Sequence, residues 1–455
     1  MSSHFVNVDR DTPLLLPPDL RQWVPEDDLV HFVIEAVEGM NLQSFRVNER
    51  GTGSDQYPPR MMLGLLIYCY ANGIFGSRRV ERATHRDVAV RYLTGDTHPD
   101  HDTIAKFRRE NFEAVATCFV KVLELAQELK LLKVGTVSVD GTHLRANAGK
   151  NRSVTYQRAG ELIEQLELEV KELLTQAEQA DNSERDEGQR LPAEIARREG
   201  LKSKLEQARQ HLEQRAKERA AGEQAEYERK VAEREQRQGS SQGKRIKPPD
   251  DRPRPDEQTN LVDGDSRLMR KNKRSSYEQC FNAQATVDAD GSQLVLSTRV
   301  SQCASDRNEL AADVAAIAAA LGQPQAVLAD NGYANEEEVQ QLERQQIDVY
   351  VSTGAESGQQ RRLHDFRPPS RRRESQKQPK APWLQAMKQK LETETGRRLY
   401  RLRQQTVEPV FGVIKHAMGF RQFLLRGIAK VRGEWQLVSL AYNCKRLWNL
   451  KLAMD

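Results

Sequence analysis

Val134-Gly-Thr-Val-Ser-Val-Asp140-Gly-Thr-His143 is an apolar run that ends on an acid, and its reading decides the fold. Far downstream, Gln325-Ala-Val-Leu-Ala-Asp330-Asn-Gly-Tyr333 repeats the pattern. Short apolar, partly β-branched runs that stop at Gly-containing segments predict strands, here ending at Val139 and Ala329. A third segment, Thr406-Val-Glu408-Pro-Val-Phe-Gly-Val-Ile-Lys415, predicts a helix. Pro409 is tolerated in a first helical turn, so regular helix is expected to begin near 406–408. A single Asp at a strand end more often caps the following turn. Two of them at the carboxyl edge of one sheet occupy the place where open α/β folds gather ligands. Glu408 is an isolated carboxylate in an uncharged stretch. Asp140, Asp330 and Glu408 together offer the hard oxygen donors that suit Mg²⁺ or Mn²⁺, and two such ions can clamp a phosphodiester undergoing in-line displacement.

The segments between these landmarks predict the rest of a sheet. Phe281-Asn-Ala-Gln-Ala-Thr-Val-Asp288 alternates, with Asn282 and Gln284 on one face, and Asp290-Gly291 is a tight-turn signal before a second strand over 293–300. An Ala-rich helix is expected over 307–321, another from Asn335 or Glu336, and a last strand over 348–352. Strand, insert, strand, strand, helix, strand, helix, strand and then helices is the order of an α/β, RNase H-like mixed sheet with flanking helices.

Ahead of this region, the buried-type run from Pro58 to Ala71 and several short helices with breaks at Gly73, Gly76 and Gly95 predict an N-terminal helical, helix-turn-helix-like unit. Its last helix carries Lys106, Arg108 and Arg109, and a small bundle with a solvated basic face would read the same way. A further helix over 112–132 leads into the first strand. Between the first two strands the composition changes. Over roughly 155–238, Ile163, Leu166, Val170, Leu173 and Ala177, then Leu201, Leu205, Ala208 and Leu212, follow a coiled-coil seam. Breaks near Asp181 and Pro192 predict an antiparallel hairpin, the stretch 215–238 a separate solvated helix, and 239–256 a flexible linker. The expected domains are 1–125, then 126–152 with 263–455, and the insert 153–262.

Bulk properties narrow the class. The chain has 455 residues with 70 basic and 66 acidic side chains, a net charge of +4 whose segregation matters more than its size. Five scattered cysteines without a Cys-x-x-Cys pair argue against a zinc site or a disulfide framework. His98 and His101 read as a polar turn entering a helix rather than as ligands. No run of about 18 apolar residues is available to span a bilayer, and the first residues lack a secretory signal pattern, so a cytoplasmic location is expected.

Val-Asp-Gly-Thr, Asp-Asn-Gly-Tyr and Thr-Val-Glu-Pro-Val-Phe-Gly-Val-Ile-Lys resemble the three catalytic blocks of DDE transposases of bacterial insertion sequences. Phe-Asn-Ala-Gln-Ala-Thr-Val-Asp resembles the second-strand block, and the segment from Tyr57 through Asn111 resembles the N-terminal helical domain. The resemblance covers most of the chain outside roughly 152–262 and points to the branch with a coiled-coil-like insert. It implies that Asp140, Asp330 and Glu408 are the catalytic, metal-binding triad for Mg²⁺ or Mn²⁺, with two ions. It also implies DNA partners, namely terminal inverted repeats and target, with self-association in the DNA complex. In the family, a Tyr and an Arg upstream of the glutamate and a Lys downstream engage DNA. The Lys is Lys415; the strict spacing falls on Arg401 and Gln404, with Tyr400 and Arg403 alongside.

Five of the eight residues from Arg267 to Arg274, Lys271 and Lys273 among them, are basic, as are eight of the twenty over 361–380. Such clusters give sequence-independent phosphate affinity. Two alternatives share these features: a domesticated metal-dependent nuclease of the same fold, and a non-catalytic DNA-binding assembly protein.

Overall fold

The computed structural model describes residues 19–47, 56–181, 191–236, 246–270, 274–354 and 381–454. Six helices come first: α1 (Leu29–Glu38), α2 (Pro59–Ala71), α3 (Ser77–Arg86), α4 (Val88–Leu93), α5 (His101–Glu110) and α6 (Phe112–Glu128). Their starts are written in the sequence. Asp28, Asp87 and Asp100 each accept a hydrogen bond from a first-turn amide, and α2 starts on Pro59, a residue whose missing N–H is no loss there. Every residue of α2 from Met62 to Ala71 is buried, because the run has no polar face to show to water.

The sheet is built around β1 (Thr136–Arg145). After it come a small strand β2 (Ser153–Thr155), the long helices α7 (Tyr156–Asp181) and α8 (Leu191–Gln236), and β3 (Gln258–Asn260). The chain continues through β4 (Arg267–Met269), β5 (Glu278–Asp288), β6 (Val295–Ser301), α9 (Leu310–Ala315), β7 (Ala326–Ala329), α10 (Glu336–Arg344) and β8 (Asp348–Val351). Three helices close it: α11 (Pro382–Glu392), α12 (Glu394–Gly412) and α13 (Ile428–Leu452). The large sheet runs β4-β5-β1-β7-β8, with β6 also on β5. β5 is antiparallel to β1 and β6, whereas β7 is parallel to β1 and β8. This is the mixed sheet expected from the order of elements.

Several expectations need correction. β1 does not stop at Asp140; it continues to Arg145, because β5 pairs with it from Val137 to Arg145. The Ala-rich stretch after β6 makes only the short α9 and a 3-10 turn at Ala319–Leu321, and the residues before α9 form a loop. The stretch 215–236 is the continuation of α8, not a separate helix. The end of the expected linker is tied down: Tyr156 and Gln157 donate to the carbonyls of Glu257 and Pro255, and Arg219 pairs with Glu257 at 3.0 Å. β2 and β3 pair to close the neck of the hairpin. Residues 182–190 and 237–245 lie outside the described residues.

One apolar core runs from Val24 to Leu447 and unites the first helices, the sheet and α13. The expected boundary at 125 falls inside α6, which packs along α13. The hairpin has a small cluster of its own, Val154, Ala159, Ile163, Leu166, Leu205 and Ala208. Farther out, the seam residues Val170, Leu173 and Ala177 are only half-buried and Leu201 is exposed, so the narrow seam is buried mainly near the neck. No described helix is long and apolar enough to cross a membrane.

Candidate active site

The β1–β7 register sets the two aspartates opposite each other. The strands pair from Thr136↔Ala326 to Ser138↔Leu328, and two residues farther along each lie Asp140 and Asp330. Beyond Ser138 and Leu328 the pairing between the two strands ends. Side chains alternate along a strand, so Ser138, Asp140 and Thr142 share one face of β1. α12 covers this face: its Leu399 and Leu402 pack against Leu328, and Lys415 just beyond it donates to the Thr142 hydroxyl.

Burial, first, and then the negative charge of Asp330 push the Asp140 carboxyl up to about 7, against the pull of the Gly141 amide and Arg403. The Asp330 carboxyl is also raised, with burial the main cause and the Gly332 amide and Arg403 opposing. In both, burial disfavours the charged carboxylate, and for Asp140 the neighbouring Asp330 adds repulsion. Arg403 is 7% exposed, reaches both acids electrostatically and stacks its guanidinium 5.5 Å from the Tyr400 ring centroid.

α12 differs from the expected helix. It starts at Glu394 behind a Thr393 cap and carries Pro409 in its interior. Proline there deprives the carbonyl four residues back of its donor. That carbonyl, on Gln405, accepts instead from Gln293 Nε2 at 2.8 Å, so the turn after β5 repairs the helix that carries Glu408. A π-helical turn, Val413–Ala417, follows and contains Lys415. Glu408 is exposed and lies on this helix between Arg403, which faces the aspartates, and Lys415, which is anchored to β1.

A fourth acid, Asp306, stands beside the pair and is not among the residues expected from the sequence. Its Oδ1 accepts from Asn282 Nδ2 and Gln284 Nε2, both at 2.7 Å. The signal was the alternation already noted on β5: polar side chains buried in an apolar strand need a partner. Asn282 Oδ1 is buried without a partner among the described residues.

The other expected residues divide. Lys106 and Arg109 are exposed on α5, and Arg401 is exposed on α12. Arg108 turns inward, contrary to its expected role on DNA, and donates to the Tyr70 hydroxyl at 2.7 Å and the Phe75 carbonyl at 3.1 Å. His101 pairs with Glu81 at 2.9 Å, and His98 lies against Thr84. Lys271, Lys273 and the basic stretch 361–380 lie outside the described residues.

Hard carboxylate oxygens beside one another fit a divalent cation such as Mg²⁺ or Mn²⁺. Among the described residues, no three His, Cys, Asp or Glu side chains are grouped as a complete metal centre. The fit therefore rests on Asp140 and Asp330, with Glu408 on the covering helix.

The described residues thus bring together two aspartates at neighbouring strand positions beneath a helix that carries a third acid. Two family descriptions match the chain: "Transposase DDE domain" over residues 364–448 and "Transposase domain (DUF772)" over residues 18–110. Probable transposases for insertion sequence element ISH11 from two strains of Halobacterium salinarum are 31% identical over 116 residues, which is 26% of this chain and 34% of each relative. The alignment thus spans about a third of those relatives' length. No solved structure matches. Segments at both ends of the chain are thus similar to DDE transposases of insertion sequences.

Proposed function

We propose that the chain is a DNA transposase that cleaves strands at the ends of its element and joins them to target DNA. The observation that carries this reading is the Asp140–Asp330 pair, set opposite each other by the β1–β7 register, where each carboxyl is buried beside other acids. In this reading the sheet is an RNase H-like core, residues 1–125 serve DNA binding, 126–152 with 263–455 catalysis, and 153–262 assembly. The partners are terminal repeats, target DNA and further copies of the chain, in the cytoplasm.

Asp140, Asp330 and Glu408 would hold two divalent cations, Mg²⁺ or Mn²⁺. When bound, such ions activate water or a DNA 3′-hydroxyl and stabilise the leaving oxygen. The protein's own part is positional and electrostatic. β1 and β7 fix the aspartates, and Gln293 and Thr142 hold α12 so that Glu408 is carried over the same face. Arg403 offsets part of the carboxylate charge. Lys415 and the exposed Lys106, Arg109 and Arg401 attract phosphates, a contribution that weakens with salt.

The test uses DNA carrying the inverted repeats that flank the coding region. The full chain with Mg²⁺ should nick at the repeat ends and join those ends to a second DNA. Cutting without regard to the repeats and without joining would favour the domesticated nuclease. Binding without any strand breakage would favour the non-catalytic assembly protein.

A further inference from the structure

Behind the aspartate pair, a continuous hydrogen-bonded chain links three elements that are distant in sequence. The Tyr333 hydroxyl donates to Gln284 Oε1, and Gln284 Nε2 donates to Asp306 Oδ1, which also accepts from Asn282 Nδ2. Asn282 Nδ2 donates as well to the Cys303 carbonyl at 3.2 Å. Asn282, Gln284 and Tyr333 are all at most 1% exposed. Tyr333 ends the 3-10 turn that begins directly after Asp330, and the Gly332 amide donates to Asp330 Oδ1 at 2.7 Å. The chain of bonds thus runs from β5 through the loop after β6 to the turn that carries Asp330.

Gly141 makes room for it. A Cβ there would stand 2.6 Å from Asp306 Oδ1 and 2.9 Å from Asn282 Oδ1, and would also run into Gln284 Nε2. At Gly332 a Cβ would lie 3.5 Å from Asp306 Oδ2. Asp306 is therefore wedged between the residue after Asp140 and the turn after Asp330. Its Oδ1 is engaged by two amides, and Asn282 Oδ1 is buried, without a hydrogen-bond partner among the described residues, close to Gly141.

We propose that Asp306 is a positioning residue: through Asn282, Gln284 and Tyr333 it fixes the Asp330 turn relative to β1, and so sets how Asp140 and Asp330 present their carboxylates to a divalent cation. This rests on the reading of those two aspartates as cation ligands. It assigns Asp306 the part of an acceptor, not of a ligand. Outer-shell partners of this kind change metal affinity without touching the metal.

The distinction is testable because asparagine keeps an oxygen that can accept from both amides, whereas alanine keeps none. Mn²⁺ binding to the full-length protein is measured by electron paramagnetic resonance of the free ion, alongside amide hydrogen exchange of peptides covering 330–334 without metal. Asp306→Ala and the milder Tyr333→Phe should weaken Mn²⁺ binding about 10–100-fold and about tenfold respectively, and both should speed exchange. Asp306→Asn should stay within a few-fold of the parent in both readouts. Equal losses in Asp306→Asn and Asp306→Ala would overturn the positioning role, since the charge itself would then be what matters. Unchanged exchange in both Asp306→Ala and Tyr333→Phe would overturn it too. Asp140→Asn separates the two readings: if it leaves Mn²⁺ binding intact, the functional reading fails, and the exchange data still judge the Asp306 network.

Discussion

Gln293 Nε2 lies 2.8 Å from the carbonyl oxygen of Gln405, the acceptor that Pro409 leaves without a helical donor. The two residues belong to a β-turn and a long helix, and their bond allows α12 to run unbroken past Glu408. Replacing Gln293 with alanine should cost about 1 kcal/mol of stability, the net worth of one such bond. Strand cleavage should fall more than this loss implies, because the helix carrying Glu408 loses a fixed point. Thermal unfolding and cleavage rates on the same preparation check it; parallel small effects on both would show that the bond only stabilises.

Arg403 is the buried counter-charge of Asp140 and Asp330. Arg403→Ala should destabilise the metal-free protein by about 2 kcal/mol, since it leaves two crowded carboxylates less compensated. Added Mg²⁺ should recover part of that loss, so the Mg²⁺-induced rise in Tm should be larger in the variant than in the parent. An equal rise in both would show that guanidinium and cation do not share the same charges.

Glu434 is fully buried at the start of α13, where its Oε2 accepts from the Leu424 and Leu425 amides at 3.0 Å. Burial, opposed by those amides and by Arg108, pushes its carboxyl up to about 7. A raised carboxyl binds its proton more tightly folded than unfolded. Its contribution is therefore complete below the unfolded value near 4.5 and is lost as the pH rises through about 7. The decline should reach at most about 1.4 kcal/mol per pH unit within that window. Glu434→Gln, which can accept the same two amides, should flatten it; denaturant midpoints at pH 5, 6 and 7 read the difference.

The hairpin keeps its apolar cluster apart from the main core, and Thr155 pairs directly with Gln258 at its neck. A two-residue Asn-Gly turn can join such antiparallel partners. Replacing residues 156–257 with Asn-Gly should leave a cooperative thermal transition and a folded sheet, while joining of DNA ends falls. Loss of the cooperative transition would place the hairpin in the core.

What could be read from the chain alone follows from how local each signal is. β7 and Asp330 were legible because an apolar run meets a turn in consecutive residues. The length of β1 was not: Gly141-Thr-His-Leu-Arg145 reads as a turn, and only pairing with β5 extends it as strand. The start of α12 was misplaced because Pro409 obeys a local rule that Gln293, more than a hundred residues away, suspends. Arg108 looked like one of three basic residues on a helix, and its spacing could not reveal that the Tyr70 hydroxyl waits on the inner side. Asp306 sits in a loop without periodicity, and its meaning comes only from the β5 amides it faces.

Strand cleavage of terminal-repeat DNA in Mg²⁺ should be compared among the parent, Asp140→Asn, Asp330→Asn and Glu408→Gln, with DNA binding measured on the same samples. Each variant loses one carboxylate and none of the basic surface. Cleavage should be reduced by at least about a thousandfold in all three, on the scale of removing a transition-state-stabilising group, with affinity for the repeat DNA within a few-fold of the parent. Cleavage by Asp140→Asn or Asp330→Asn at the parental rate, from correctly folded protein, would contradict the proposed function.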